Sequence, residues 1–340
     1  MKLALVRRSA MAAALCLCAW VGSPRCATAG DGVAATAGDS GLQATLQTLA
    51  QRAQPGALGI AVLDLDSGKT WRVNADQAFP MMSVFKSAVG AAMLDRIEHG
   101  QNSFDQTLVV KREDLEGGII RKQFQGTQET FTVRQLMSDM VSESDNTAAD
   151  TLIKFMGGPA IVESYLRAHG IEGLHVDRYE SGNTQLFEAL HTGETPPADE
   201  TDAQQDQRYL RGYHAFLADP GNRSTPAAAV QFLRKLWRHE LLSKASSQYL
   251  LDLMYAQTKP NRLRAGLPNG VRLADKCGTS PTIDGFTAAY NDIGIMTWPN
   301  GHAVIVAAFL TASHASDDAR QAIFVDLAKS VAAALPPRAN

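Results

Sequence analysis

Strand-forming runs stand at both ends of this chain with a mainly helical stretch between them, and that order restricts the fold more than any other feature. Near the start, Leu58-Gly-Ile-Ala-Val-Leu and Thr70-Trp-Arg-Val are β-rich and joined by the turn formers Asp66-Ser67-Gly68. Near the end, Val271–Lys276, Phe286–Trp298 and His302–Thr311 have the same character, the last two linked by Pro299-Asn300-Gly301. One sheet assembled from both ends, with the helical part inserted and a cleft at the junction, is the simplest solution. The expected fold is α/β: an antiparallel sheet flanked by N- and C-terminal helices, plus an inserted all-α domain. The expected boundaries are 41–82 with 241–338 for the discontinuous sheet domain and 83–240 for the helical one.

The helices follow from periodicity and caps. Leu42, Leu46 and Leu49 share a face over 42–52, and 84–98 closes at His99-Gly100. Thr132 can cap a helix with Val133, Leu136, Met137, Met140 and Val141 on one side. A further helix runs from Asn146 to Gly157-Gly158, and Pro159 suits the first position of the next. Thr225-Pro226 starts a helix reaching about 240, and Ser316 caps a last one carrying Ile323, Phe324, Leu327 and Val331. The polar stretch 191–207, with five acidic residues and no apolar period, reads as a solvated insertion or lid within an expanded loop 180–225.

Residues 1–29 read as a signal peptide: Lys2, Arg7 and Arg8, then the apolar run Ala10 to Val21, then the small-x-small site Ala27-Thr28-Ala29. Arg7-Arg8 leaves the twin-arginine route open beside the Sec route, and either leads to a periplasmic or secreted protein. Of the 32 basic residues four lie in this leader, so a mature chain carries 28 against 35 acidic, a net charge of −7. That sign argues against nucleic acid and anionic membrane as partners, and no membrane anchor is expected once the signal is removed. Cys16, Cys18 and Cys26 fall in the leader, and Cys277 is left without an intrachain partner. The eight histidines are scattered, so no metal and no cofactor are expected.

Three short motifs carry chemistry. Ser83-Val84-Phe85-Lys86 places a hydroxyl and an amine one helical turn apart at a helix start, where backbone N–H groups can meet an oxyanion. Ser144-Asp145-Asn146 offers a second hydroxyl and an amide between two helices. Lys276-Cys277-Gly278-Thr279-Ser280 ends a strand with a cation for a carboxylate and a glycine for close approach. Each alone also fits an ordinary cap, turn or strand end.

Together, and in this order, they resemble the class A β-lactamases. The resemblance extends through Phe79-Pro80-Met81-Met82, Thr132-Val-Arg-Gln-Leu, Ser144-Asp-Asn-Thr-Ala-Ala-Asp and Arg264-Ala-Gly-Leu-Pro, covering roughly 42–335. It implies a β-lactam substrate, a monomer, and specific roles. Ser83 is the nucleophile, its proton taken by Lys86 or by Glu180 through a water. The N–H groups of Ser83 and Thr279 form the oxyanion hole. Ser144 protonates the leaving nitrogen, and Glu180, in Asp177-Arg178-Tyr179-Glu180, activates the deacylating water. Lys276, Thr279 and Ser280 hold the substrate carboxylate and Asn146 its amide. Arg262 is either an added guanidinium for that carboxylate or a surface residue.

The chain departs from the family pattern in four places. Cys277 stands where a Thr or Ser is usual, and the segment from Glu180 to Thr225 is long. Thr184 replaces the asparagine four residues past the glutamate, with Asn183 one short, and Asn222 replaces the acid that pairs with the loop arginine, although Asp219 could serve. Glu116-Gly117-Gly118-Ile119 supplies no aromatic at the cleft mouth. A D,D-peptidase-like enzyme, or a slow penicillin-binding acyl-transfer protein, is the rival; such proteins lack a base in the place of Glu180 and stay acylated.

Overall fold

In the computed structural model, residues 37–191, 194–259 and 261–336 are described. The leader at 1–29 lies outside them. The first long strand, Ala57–Asp64, pairs antiparallel with the last, Ala303–Ser313, in the register Ala57 with Thr311 and Asp64 with Val304. The remaining order follows from hairpins: Thr70–Val73 lies outside the first strand, while Phe286–Thr297 and then Arg272–Thr279 continue beyond the last. The short strand Thr282–Ile283 pairs with the start of Phe286–Thr297. The sheet is antiparallel throughout and built from both ends of the chain, as the strand order predicts.

Both faces of the sheet are covered, and the period-two alternation of a strand sorts its side chains between them. In Ala303–Ser313, Val304, Val306, Ala308 and Leu310 join Leu42, Leu46 and Leu49 of helix Ala37–Arg52 and Phe324, Leu327 and Val331 of helix Asp317–Ala334. The intervening Ala303, Ile305, Ala307 and Phe309 face the other way, into the core made by the helical part. That two-sided burial explains why these strands read as unbroken apolar runs.

The central helix Lys86–Glu98 follows a 3-10 turn, Met82–Phe85, and is buried on every side from Lys86 to Leu94. A helix enclosed all round carries no polar face, so its apolar stripe is weak. Val133–Val141 starts with a reciprocal Thr132–Gln135 capping box, and Asn146–Met156 is capped by Asp145 and closed by Gly157 at φ 109°. Pro159–Ala168, Pro226–Trp237 and Lys244–Tyr255 complete the layer, the last capped by Ser243 and not foreseen from the sequence. Also unforeseen is the hairpin of Thr107–Lys111 with Gln128–Thr132.

The polar stretch 191–207 is solvent-exposed at every described position but Glu200, as expected, although part of it is helical. Its second half opens a 17-residue helix, Asp202–Ala218, with a Thr201–Gln204 capping box. The buried positions are Arg208, Gly212, Tyr213 and Phe216. That stripe lies beyond the polar stretch itself and begins with an arginine, so the cap is the one local signal of the helix. A shorter helix, Glu180–Phe187, precedes it. No described helix is long and apolar enough to cross a membrane.

Candidate active site

Ser83 sits in the 3-10 turn, directly after Met82, whose backbone is left-handed at φ 48°. Asn291, buried in the sheet, holds this approach by donating Nδ2 to the carbonyls of Pro80 at 2.7 Å and Met81 at 3.1 Å. On the other side runs Arg272–Thr279. A β-carbon on Gly278 would lie 2.3 Å from the Met81 carbonyl oxygen and 3.1 Å from the Ser83 nitrogen, so only glycine lets the strand come this close.

Lys86 is fully buried, and its ammonium is the hub of the site. It donates to Ser83 Oγ at 2.9 Å, to the Ser144 carbonyl at 2.8 Å and to Asn146 Oδ1, and lies 3.1 Å from Glu180 Oε1. Ser83 Oγ in turn donates to Glu180 Oε1 at 3.3 Å. A buried charge needs this degree of pairing to remain a charge. Ser144 adopts φ 63°, which turns its carbonyl to Lys86 while its Oγ accepts from Lys276 Nζ at 2.9 Å. Each of the two hydroxyls thus has its own ammonium. Burial pushes the Lys276 pKa down to about 8.

Glu180 owes its position to a cap that sequence reasoning missed. Asp150, one turn past Asn146, accepts the backbone N–H of Glu180 at 2.6 Å and of Ser181 at 2.9 Å, starting the helix Glu180–Phe187. Asn183 donates Nδ2 to Glu180 Oε2 at 3.4 Å, and its Oδ1 is buried with no hydrogen-bond partner among the described residues. Thr184 instead bonds the Glu180 carbonyl at 3.2 Å and Glu116 Oε2 at 3.3 Å. Burial, with Asp150 and Glu180 nearby, raises the Glu116 pKa. Arg178 pairs with Asp219, which supplies the acid that Asn222 lacks. Asn222 instead fastens the loop, its Oδ1 accepting the N–H groups of Asp177 at 2.7 Å and Arg178 at 3.1 Å.

A cleft of about 430 Å³ opens in front of Ser83, lined also by Ser144, Asn146, Arg262, Cys277 and Thr279. Arg262 is no surface residue. It is 3% exposed, lies 4.0 Å over the Tyr290 ring and donates to Thr279 Oγ1. Tyr290, from the sheet, brings to this cleft the aromatic that 116–119 does not. Cys277 is buried and unpaired. Ser280 departs from expectation: it is buried outside the cleft lining, its Oγ donating to the Pro281 carbonyl at 3.1 Å and accepting the Ala289 N–H at 3.0 Å. Its backbone N–H still bonds the Ala289 carbonyl at 2.9 Å, continuing the ladder past Thr279, so strand alternation puts its side chain on the face opposite Thr279. The remaining named residues, Ser83, Lys86, Ser144, Asn146, Glu180, Lys276, Thr279 and Arg262, converge. Such a set can activate a hydroxyl, hold an anion and take up a proton.

The Asp64, Asp66 and His302 group at a turn of the sheet has ligand-like spacing. Its hydrogen bonds account for it: Asp64 accepts from Ser67 Oγ at 2.6 Å and from the Asp66 N–H at 3.1 Å, and lies 3.1 Å from His302 Nε2.

Residues 41–335 match the model of the beta-lactamase enzyme family. Beta-lactamase VEB-1 of Pseudomonas aeruginosa is 30% identical over 82% of this chain and 85% of its own length. The extended-spectrum beta-lactamase PER-1 of the same organism is 31% identical over 80% of each. Among solved structures, a β-lactamase from Chitinophaga pinensis aligns with a TM-score of 0.72 at 28% identity, covering 85% of this chain and 97% of that one. An ancestral class A β-lactamase aligns at 0.70 and 32% identity, over 86% of this chain and 100% of its own.

Proposed function

The chain belongs to the class A serine β-lactamase family, and from that membership we propose that it hydrolyses β-lactam amides through an acyl-enzyme on Ser83. The Ser83 hydroxyl, which accepts from Lys86 and donates to Glu180, attacks the strained carbonyl. Its proton leaves toward Glu180, directly or through a water, while the Lys86 ammonium steadies the developing alkoxide. The backbone N–H groups of Ser83 and Thr279 receive the oxyanion, each worth about 3 kcal/mol. Ser144 gives its proton to the departing nitrogen, assisted by Lys276, and regains one from Glu180 through the Lys86 ammonium between them, which restores the Glu180 carboxylate before water arrives. Lys276, Thr279 and Arg262 hold the substrate carboxylate and Asn146 its amide side chain, whereas Ser280 shapes the strand end without touching substrate. Glu180 then draws a proton from water as it attacks the ester, and Asn183 Oδ1 holds that water on its other side. The cleft lies where the discontinuous sheet domain, 41–82 with 241–338, meets the helical 83–240. The leader supports export to the periplasm or beyond.

The observation that carries this reading is the carboxylate at the nucleophile, 3.3 Å from Ser83 Oγ. A peptidase-like or permanently acylated protein has no use for it. The test is turnover of a chromogenic cephalosporin together with intact mass. Wild type is expected to bleach the substrate, and Ser83→Ala to neither turn over nor gain mass; an adduct on any other residue refutes the assignment.

A further inference from the structure

The inserted helix Asp202–Ala218 is wedged into the protein. Arg208 donates to the Glu188 carbonyl and pairs through two nitrogens with Glu200, at 2.8 Å each. At the other end Arg223 donates to the carbonyls of Phe216 at 2.7 Å and Leu217 at 2.9 Å. Between these ends, Gly212 lies so close to the preceding helix that a β-carbon would meet the Phe187 carbonyl oxygen at 2.0 Å.

Tyr213 is the fully buried centre of this contact. Its ring meets Phe187 edge-on at 5.1 Å and lies 6.2 Å from Phe286, and its hydroxyl donates to the Pro281 carbonyl at 2.7 Å. Phe216 adds a contact to Phe187 at 4.3 Å. Met82, the residue before Ser83, belongs to the same apolar cluster. One side chain therefore touches the end of the Glu180 helix and the chain just past Thr279, within the cluster that underlies the nucleophile.

The helix Glu180–Phe187 has eight residues, about 12 Å of rise, and a helix that short does not hold its own shape in water. Its placement is set by what grips its two ends. Asp150 grips the first through the N–H groups of Glu180 and Ser181. Tyr213 and Phe216 grip the last through Phe187.

We propose that Tyr213 is a positioning residue for deacylation: its ring fixes the far end of the helix bearing Glu180 against the apolar cluster that holds Met82, beside Ser83. The inserted helix is then a brace for the base and not a lid over the cleft. This rests on Glu180 being the deacylating base.

The test compares Tyr213→Leu, which removes the ring, with Tyr213→Phe, which keeps the ring on Phe187, and with Leu327→Ala in the core on the other face of the sheet. A shift of the base by about 1 Å slows its step by one to two orders of magnitude. Tyr213→Leu should lower kcat by at least about tenfold, more than it lowers kcat/KM so that KM falls as well, and accumulate acyl-enzyme in quenched mass spectra. Tyr213→Phe should restore kcat to within about threefold of wild type. Leu327→Ala should lower Tm without changing the acyl-enzyme fraction. Should Tyr213→Leu fail to fold, Phe216→Leu, which thins the same grip, is read in the same way. A fall in kcat/KM equal to that in kcat, unchanged kcat, no rescue by phenylalanine, or equal accumulation in Leu327→Ala overturns the proposal. Glu180→Ala runs in parallel: if it accumulates no adduct the deacylation reading itself fails, whereas accumulation there but not in Tyr213→Leu removes the brace alone.

Discussion

Raising the pH should weaken the enzyme through Lys276 while that same residue makes the fold more stable. The side chain is fully buried, its ammonium engaged with Ser144 Oγ at 2.9 Å and the Cys277 carbonyl at 3.1 Å. Burial moves its pKa from 10.5 to about 8. The proposed carboxylate contact needs the charged form, so kcat/KM, which reports the free enzyme, should fall as pH rises through about 8. One titrating site leaves roughly nine-tenths of the ammonium at pH 7 and roughly one-tenth at pH 9, a fall of about tenfold. The floor is set by the loss of one charge-assisted hydrogen bond, about 1.5–3 kcal/mol. Stability has the opposite sign. Between about 8 and 10.5 the unfolded chain binds more protons than the folded one at this site, so its contribution to unfolding free energy rises with pH across that window. The assay is kcat/KM for a carboxylate-bearing β-lactam from pH 6 to 10, with Tm followed alongside to exclude alkaline unfolding. Lys276→Arg keeps its charge throughout and should abolish the alkaline limb, whatever its absolute rate. A flat profile from pH 7 to 9.5 in wild type, or an unchanged limb in Lys276→Arg, refutes the reasoning.

Two substitutions on the same strand separate packing from chemistry. Cys277→Thr places a hydroxyl beside the carboxylate site at nearly constant volume; KM should change with kcat within about twofold and Tm preserved, and a collapse of Tm would mean that the thiol is there for packing. Gly278→Ala drives a β-carbon onto the Met81 carbonyl and toward the Ser83 nitrogen, contacts with backbone that cannot rotate away. It should cost about 1–3 kcal/mol of stability and slow acylation about a hundredfold; wild-type acylation would show that the strand need not approach so closely.

What could be read from the sequence depended on how local each relation is. Ser83 and Lys86 share a helical face by spacing alone, and Thr132, Asp145, Thr225 and Ser316 cap where their residue types predict. The sheet followed from strand-rich runs at both ends. Ser144, Glu180 and Lys276 stand far from Ser83 in the chain, and spacing could not unite them; family resemblance did. Asp150 and Asn291 escaped notice because their significance lies in which backbone groups they meet, and those belong to segments 30 and more than 200 residues away. Ser280 follows Thr279 directly in the ladder, so strand alternation turns it away from the cleft, a consequence of period two that the family motif alone does not display. Arg262 was left open between surface and site because burial of an arginine over Tyr290 has no signature in its neighbours.

Turnover in this mechanism depends on one acid freeing the nucleophile after each cycle. Its most direct measurement is the mass of purified Glu180→Ala at intervals after mixing with a penicillin, beside wild type. The predicted result is a penicilloyl adduct on Ser83 that persists in the variant and clears from wild type. Clearance at the same rate in both would contradict it, because the ester would then be hydrolysed without Glu180.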